Sequence, residues 1–387
     1  MEHENAFVSF NRNITEFVMG KDSFELAVTV DEAADRVSSF NHGGILHSVM
    51  LYVLPENYYT SVHTTTTFDE AFQDGFLRID YTVHAATEDY RYEACLVSPD
   101  GGTVQYKVPK PIKWDAEHPF LYNLKLTVWK GEERLEEIGH AFGFRQITRV
   151  ENRLYVNGQE VKLRGVCRHE ITPLNGRCTT KELIEKDVAL FKEANCNYIR
   201  TSHYPPSEYF LQMCDERGIY VEDELALAFI ARTLPFTQRD PKETKRYLSH
   251  FSELVARDYS HPSVIIWSLC NESFGGHNFD LLNRYAHRID PTRPTKFSYP
   301  MTMREEHEPV DIWSIHYSNL EEDLAKKCDN VSVGYTPGYD MPVLHDEYAH
   351  IPCYNRTEIR RDPNVRNFWG ESIKKFWDKI WNTKGAL

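Results

Sequence analysis

His261-Pro262-Ser263-Val264-Ile265-Ile266-Trp267-Ser268-Leu269-Cys270-Asn271-Glu272-Ser273 is the stretch whose reading decides the fold. From Val264 to Cys270 it carries no charge and little polarity, the composition of a strand buried on both faces. It then stops at an amide and a carboxylate. Side chains placed just beyond a buried parallel strand are where barrels of the (β/α)₈ type gather their functional groups.

Strand-like and helix-like segments alternate outward from this stretch. Upstream lie a strand at 161–166, a helix at 180–194 capped by Thr179 or Thr180, a strand at 198–201, a helix at 207–217, a strand at 220–225 and a helix at 242–259. Downstream come a helix at 279–289, strands at 295–298 and 312–315, a helix at 320–327, a strand at 343–346 and a long helix at 365–381. Seven strands, each feeding a helix or a loop, predict a (β/α)₈ (TIM) barrel over 148–387, with the eighth strand not reached before Leu387. Before residue 148 the pattern changes. FELAVTV (24–30), LRIDYTVH (77–84), RYEACLVS (91–98) and LYNLKLTVW (121–129) are β-branched and aromatic runs separated by turn signals such as Pro99-Asp100-Gly101-Gly102. They predict all-β sandwich modules ahead of the barrel, with an immunoglobulin-like sandwich at 59–147.

The composition is that of a globular chain, 41% hydrophobic and 26% charged over 387 residues. A formal net charge of -14 without a long basic run argues against nucleic acid and anionic lipid as partners. No apolar stretch of about 18 residues is present to span a membrane, and the first ten residues lack a basic and an apolar region of the secretory type. The eight cysteines form no CxxC pair and no zinc-ligand spacing with histidine. They read as free thiols and favour a reducing compartment such as the cytoplasm.

Two glutamates stand out. Glu272 follows the fourth barrel strand, and Glu347 follows the seventh, which reads Pro342-Val343-Leu344-His345-Asp346. One strand-end glutamate could equally be a helix cap or a solvated charge; two after buried runs in one barrel make a pair. Because side chains alternate along a strand, only one of Asp346 and Glu347 is expected to face the lumen.

Four segments then show a resemblance. Leu163-Arg164-Gly165-Val166-Cys167-Arg168-His169-Glu170 resembles the RGVNRHE segment of glycoside hydrolase family 2. Ile199-Arg200-Thr201-Ser202-His203-Tyr204-Pro205 resembles its R-x-S-H-Y-P segment. Residues 261–273 are similar to its acid/base motif, and Glu347-Tyr348-Ala349-His350 to the E-Y-A-H nucleophile motif of its β-galactosidase branch. The resemblance implies a retaining exo-β-glycosidase, with Glu272 as acid/base and Glu347 as nucleophile. It further implies that Asn271 meets the sugar 2-hydroxyl, that Arg200 keeps Glu347 charged, that His169, His203 and His350 bind sugar hydroxyls, and that Tyr317 assists the nucleophile. An aromatic content of 13% suits flat pyranose faces as well as it suits a large core. Residues 1–58 are expected to be the remnant of the family's sugar-binding jelly-roll domain, so the chain reads as truncated at both ends.

The third strand departs from the family. Val221-Glu222-Asp223-Glu224-Leu225-Ala226-Leu227-Ala228-Phe229-Ile230 has Ala228 and Ile230 where magnesium-dependent members have Glu and His. No metal and no cofactor are therefore expected, and galactose specificity is open: a β-glucuronidase, another β-glycosidase, or an inactive carbohydrate-binding fragment are the alternatives. Asn382-Thr383-Lys384 is similar to the N-x-K of β-glucuronidases but reads as a helix C-terminus. The expected partner is an oligosaccharide or β-glycoside substrate, and the resemblance allows a homo-oligomer.

Overall fold

The computed structural model describes residues 3–30, 36–38, 40, 44–84, 90–93, 102–300, 310–321, 324, 341–349 and 364–387. A one-turn helix, α1 (Thr15–Val18), precedes six strands: β1 (Tyr58–Phe68), β2 (Gly75–His84), β3 (Tyr90–Glu93), β4 (Gly102–Val108), β5 (Tyr122–Lys130) and β6 (Glu133–Phe142). They pair antiparallel as β1-β2-β4 and β3-β5-β6. Alternation along β2 buries Leu77, Ile79 and Tyr81. Tyr59 and Tyr81 meet Leu126 and Val128, while Leu77 and Ile79 meet Phe142 and Phe144, so the two sheets share one apolar seam, as a sandwich requires.

A small antiparallel sheet follows: β7 (Ile147–Val150), β8 (Arg153–Val156) and β9 (Gln159–Glu160). Then strands and helices alternate: β10 (Gly165–Cys167), α2 (Lys181–Glu193), β11 (Tyr198–Arg200), α3 (Glu208–Arg217), β12 (Tyr220–Glu224), α4 (Thr244–Asp258), β13 (Val264–Asn271), α5 (His277–Ile289), β14 (Thr295–Ser298), β15 (Trp313–His316), β16 (Val343–Glu347) and α6 (Asn364–Asn382). Strands β10 to β14 form one parallel sheet in chain order, and β15 pairs parallel with β16. A parallel bridge between Lys296 and Ile312 joins the two sheets. The sandwich is thus followed by a TIM-barrel domain.

Local signals explain the element ends. The Thr180 hydroxyl caps α2 by accepting from the Leu183 amide at 3.4 Å. Gly218 ends α3 at φ 74°, in the left-handed region that suits glycine. Apolar faces of α3, α4 and α5 pack on the strands through Leu211, Phe251 and Leu282. At the opposite end, Ile147, Leu154 and Val156 sit with Tyr198, Tyr220 and Ile266 in a second cluster, so β7–β9 close the floor beneath the strand starts and leave the C-terminal ends as the open face.

The sandwich is bolted to this floor. Arg145, buried just after β6, donates through Nε to the Pro262 carbonyl at 3.0 Å and through Nη2 to the Val264 carbonyl at 2.9 Å. The indole of Trp114 donates to the Asp215 carbonyl at 2.8 Å.

Several expectations are modified. Residues 24–30 form no strand; their side chains lie exposed, and among the described residues no neighbouring strand supplies the hydrogen bonds that an isolated extended segment lacks. The first barrel strand occupies only the end of the segment expected at 161–166. The strand at 91–98 is described only to Glu93, and of the helix at 320–327 only residues 320, 321 and 324 are described. No eighth strand of any length forms among the described residues, but Ala386 makes a parallel bridge to Val343 and the Leu387 amide donates to the Val343 carbonyl at 2.7 Å, where such a strand would begin. Asn382 ends α6 as expected.

Gly165 marks the tightest backbone approach. A Cβ there would lie 1.9 Å from the Tyr198 carbonyl oxygen, on the strand it pairs with. Gly165→Ala is therefore expected to destabilise the barrel by about 3 kcal/mol, read as a lowered midpoint in chemical denaturation; an unchanged midpoint would show that β10 and β11 can move apart freely.

Candidate active site

Barrel strands aim alternate side chains inward, and here the inward set is charged. On β12, Glu222 and Glu224 point to the interior, whereas Asp223 between them meets Thr201 and Asp258. At the end of β11, Arg200 is fully buried. It donates through Nε and Nη2 to the two oxygens of Glu224 at 2.8 and 2.9 Å, through Nη2 to Asn271 Oδ1 at 2.7 Å, and through Nη1 to Glu347 Oε1 at 2.8 Å. Burial alone would raise the Glu224 carboxyl, but the Arg200 guanidinium and His203 hold it down to about 2.

Glu347 ends β16. The Tyr317 hydroxyl donates to its Oε2 at 2.5 Å, and His316 Nδ1 lies 3.6 Å from that oxygen. Burial pushes this carboxyl up, yet His316, Arg200 and Tyr317 outweigh burial and leave it below the ordinary carboxylate range. Asp346, contrary to the alternation expected, also reaches the interior: its carboxylate pairs with the buried Lys296, accepts from Ser314 Oγ at 2.7 Å and lies 3.7 Å from Arg200. The pairing of β15 with β16 slips between Ile315 and His316, and this irregularity at the strand ends lets two successive carboxylates face the same guanidinium.

Glu272 follows β13 with φ 36°, a left-handed backbone unusual outside glycine, and its amide donates to the Ser298 carbonyl at 2.9 Å. Its Oε1 lies 2.9 Å from His316 Nδ1, and its Oε2 pairs with Arg232. One oxygen of Glu272, one of Glu347 and a ring nitrogen of His316 lie within 4.8 Å of one another. Those are the three groups in the described residues disposed to share one small cation. The same arrangement brings the carboxylates of Glu272 and Glu347 close to one another.

The other expected residues fall as follows. His203 Nδ1 lies 2.9 Å from Glu224 and 3.0 Å from Arg200, and its Nε2 lies 3.9 Å from Glu347 Oε1; burial and Arg200 hold its ring below the usual histidine range. With its Oδ1 held by Arg200, Asn271 keeps its amide nitrogen as a donor. His169 stands at the rim, its ring 5.2 Å from that of His203. His350 lies outside the described residues. Ala228 and Ile230 are buried methyl and alkyl groups with no atom to offer a metal.

Sequence reading did not single out Glu224, Lys296, His316, Arg232 or Phe40, and weighed Asp346 only as the alternative to Glu347. The acidic run Glu222-Asp223-Glu224 inside a strand was a usable signal, since strands buried on both faces exclude unpaired charge. Phe40 gave none: it comes from the segment before the sandwich, yet its ring lies 5.2 Å from His203 and 5.6 Å from Phe229.

Comparison with known proteins bears on the family and the fold. Residues 147–363 match the family model described as "Glycosyl hydrolases family 2, TIM barrel domain", and residues 58–145 match "Glycosyl hydrolases family 2". A β-galactosidase of Bifidobacterium adolescentis is 31% identical over 354 residues, covering 84% of this chain and 33% of that protein. One of Aeromonas hydrophila is 33% identical over 376 residues, covering 87% and 36%. The chain thus spans about a third of the length of these relatives. Among solved structures, a β-glucuronidase of Parabacteroides merdae superposes with a TM-score of 0.57 at 22% identity, covering 68% of this chain and 36% of that one. A putative β-galactosidase of Bacteroides fragilis gives 0.57 at 20%, covering 67% and 43%. With over half of its residues matching the barrel model and the sandwich model immediately before it, the chain belongs to glycosyl hydrolase family 2.

Proposed function

We propose that this chain carries the catalytic centre of a retaining exo-β-glycosidase that removes terminal β-linked sugars by double displacement. The observation that carries the reading is the separation of the two carboxylates. Retaining glycosidases hold theirs about 5–5.5 Å apart, and inverting ones farther, to fit a water between; an oxygen of Glu272 and one of Glu347 lie within 4.8 Å. Glu347, held ionised by Arg200 and Tyr317, attacks the anomeric carbon. Glu272 protonates the departing oxygen and then, as a carboxylate, takes a proton from the water that cleaves the glycosyl-Glu347 ester. Asn271 donates to the sugar 2-hydroxyl, while His203 and His169 line the sugar side of the cleft.

β-Galactosides are the first substrate class, because the relatives at 31% and 33% identity are named β-galactosidases. β-Glucuronides are the second, because β-glucuronidases are among the structures that share the fold. The test is hydrolysis of aryl β-galactoside, β-glucuronide and β-mannoside by this chain and by Glu347→Gln, with and without EDTA. The expected result is turnover of the galactoside, lowered at least about 10³-fold by the substitution, indifferent to EDTA, with the β-anomer as the first product in an NMR time course. An α-anomer appearing first would overturn double displacement, and turnover of another sugar would move the substrate assignment.

The depressed carboxyl of Glu347 sets an expected pH profile. A nucleophile whose acidity is strengthened stays charged as pH falls, so the acid limb of kcat/KM should lie below the ordinary carboxylate range. Tyr317→Phe removes one donor to the charged form. It should lower kcat by about 10–100-fold and move the acid limb to higher pH; a limb that stays in place would show that Tyr317 does not hold the charge on Glu347.

A further inference from the structure

A small pocket opens at the seam between sandwich and barrel, where β13 begins and not where it ends at the carboxylate pair. The sandwich lines it with Thr65, Thr66 and Arg145, and the barrel with Ser260, Thr292 and Arg293. Its free volume of about 20 Å³ takes one water or one monatomic ion. Nothing in the reaction above uses it.

The charges around this pocket do not balance. Arg293 is matched: its Nη1 pairs with Asp290 at 2.6 Å. Asp215 is matched by His261 at 2.6 Å, and against burial that carboxylate raises the ring's hold on its proton. Arg145 has no such partner. It is 6% exposed, its side-chain hydrogen bonds go to the carbonyls of Pro262, Val264 and His261, and it forms no ion pair among the described residues. Burial and the charge of Arg293 work against its guanidinium more than Asp290, Tyr259 and Asp215 work for it. Carbonyl dipoles solvate a cation but leave its net charge in place, and a buried charge is tolerated at low cost only beside an opposite one.

The pocket wall also has donors to spare. Nη1 of Arg145 enters none of the three carbonyl bonds, and Nη1 of Arg293 has a second N–H beyond the one given to Asp290. The Ser260 hydroxyl accepts from the Thr64 amide at 3.1 Å, which leaves its own proton to donate. Thr66 and Thr292, by contrast, give their hydroxyl protons to the Arg145 carbonyl at 2.7 Å and to Asp290 at 2.5 Å. Two guanidinium groups and a hydroxyl around a volume this small make a site for an anion without bulk.

We propose that this pocket binds one monatomic anion, a halide such as chloride, which supplies the counter-charge that Arg145 lacks and ties the sandwich to the barrel. The ion contacts both modules at once, so it binds the assembled chain and not the unfolded one, and its binding adds to stability by mass action.

The test uses the full 387-residue chain. Thermal unfolding is followed as sodium chloride replaces sodium gluconate at constant ionic strength, gluconate being too large for the pocket. The midpoint is expected to rise by about 2–4 °C and then to level off. Crystals grown in sodium bromide should show an anomalous peak between Arg145, Arg293 and Ser260. Ser260→Asp brings a carboxylate to the same wall and should lose the chloride response, whereas the neutral Ser260→Asn should keep it. A midpoint indifferent to chloride, a rise that never saturates, or a pocket without a bromide peak overturns the proposal. A peak without the stability response marks an adventitious ion only and overturns it as well. So does a response that survives Ser260→Asp or disappears in Ser260→Asn, and so does a Ser260→Asp chain that fails to fold where Ser260→Asn folds.

Discussion

Arg200 carries a permanent charge with no exposed surface, so the barrel around it has to provide the opposite charge and the acceptors that water would have given. It does so from three directions: Glu224 on the neighbouring strand, Asn271 at the end of β13 and Glu347 across the lumen on β16. A planar guanidinium accepts those partners only in fixed directions. Withdrawing either carboxylate would leave a buried charge short of its match, a loss of about 3–5 kcal/mol for a broken buried pair. The strand ends are consequently locked to one another by electrostatics as much as by backbone pairing. Lys296 repeats the device one layer away, between Glu222 at 2.5 Å and the carboxylate of Asp346.

This locking also separates the chemical characters of two identical side chains. Glu347 touches a buried arginine and a phenolic hydroxyl, groups that favour its charge permanently. Glu272 lies against His316, which also faces Glu347, and beside Arg232, whose side chain is partly exposed. The two carboxylates thus sit in different surroundings, Glu347 against a buried guanidinium and a phenol, Glu272 at a half-open rim. The positive φ of Glu272 belongs to the same design: it turns the chain sharply at the rim, so that the carboxylate returns over the lumen instead of following the strand outward.

The barrel was legible because its strands are short apolar runs with helical periodicity between them, and the pattern placed Thr295–Ser298 and helix α5 to within two residues. The sandwich was less so. Tyr58–Phe68 has a threonine-rich core, SVHTTTT, whose pairing is decided by the partner strand and not by its own composition. At the site, Glu272, Glu347, Arg200, Asn271, His203 and Tyr317 stand together, since each lies at or just beyond the C-terminal end of a strand. Arg232 and Phe40 were invisible because loop conformation brings them in, and Asp346 was misjudged because a register slip cancelled the alternation from which it was read.

Arg145 gives the pairing of sandwich and barrel a meaning for how such chains can be assembled. Its guanidinium grips the carbonyls of Pro262 and Val264, the very residues that open β13, the strand that ends at Asn271 and Glu272. The sandwich is therefore no detachable adaptor. A recombination event that exchanged it for another β-module would also remove the anchor at the root of β13, so the incoming module would have to bring its own donor for those two carbonyls.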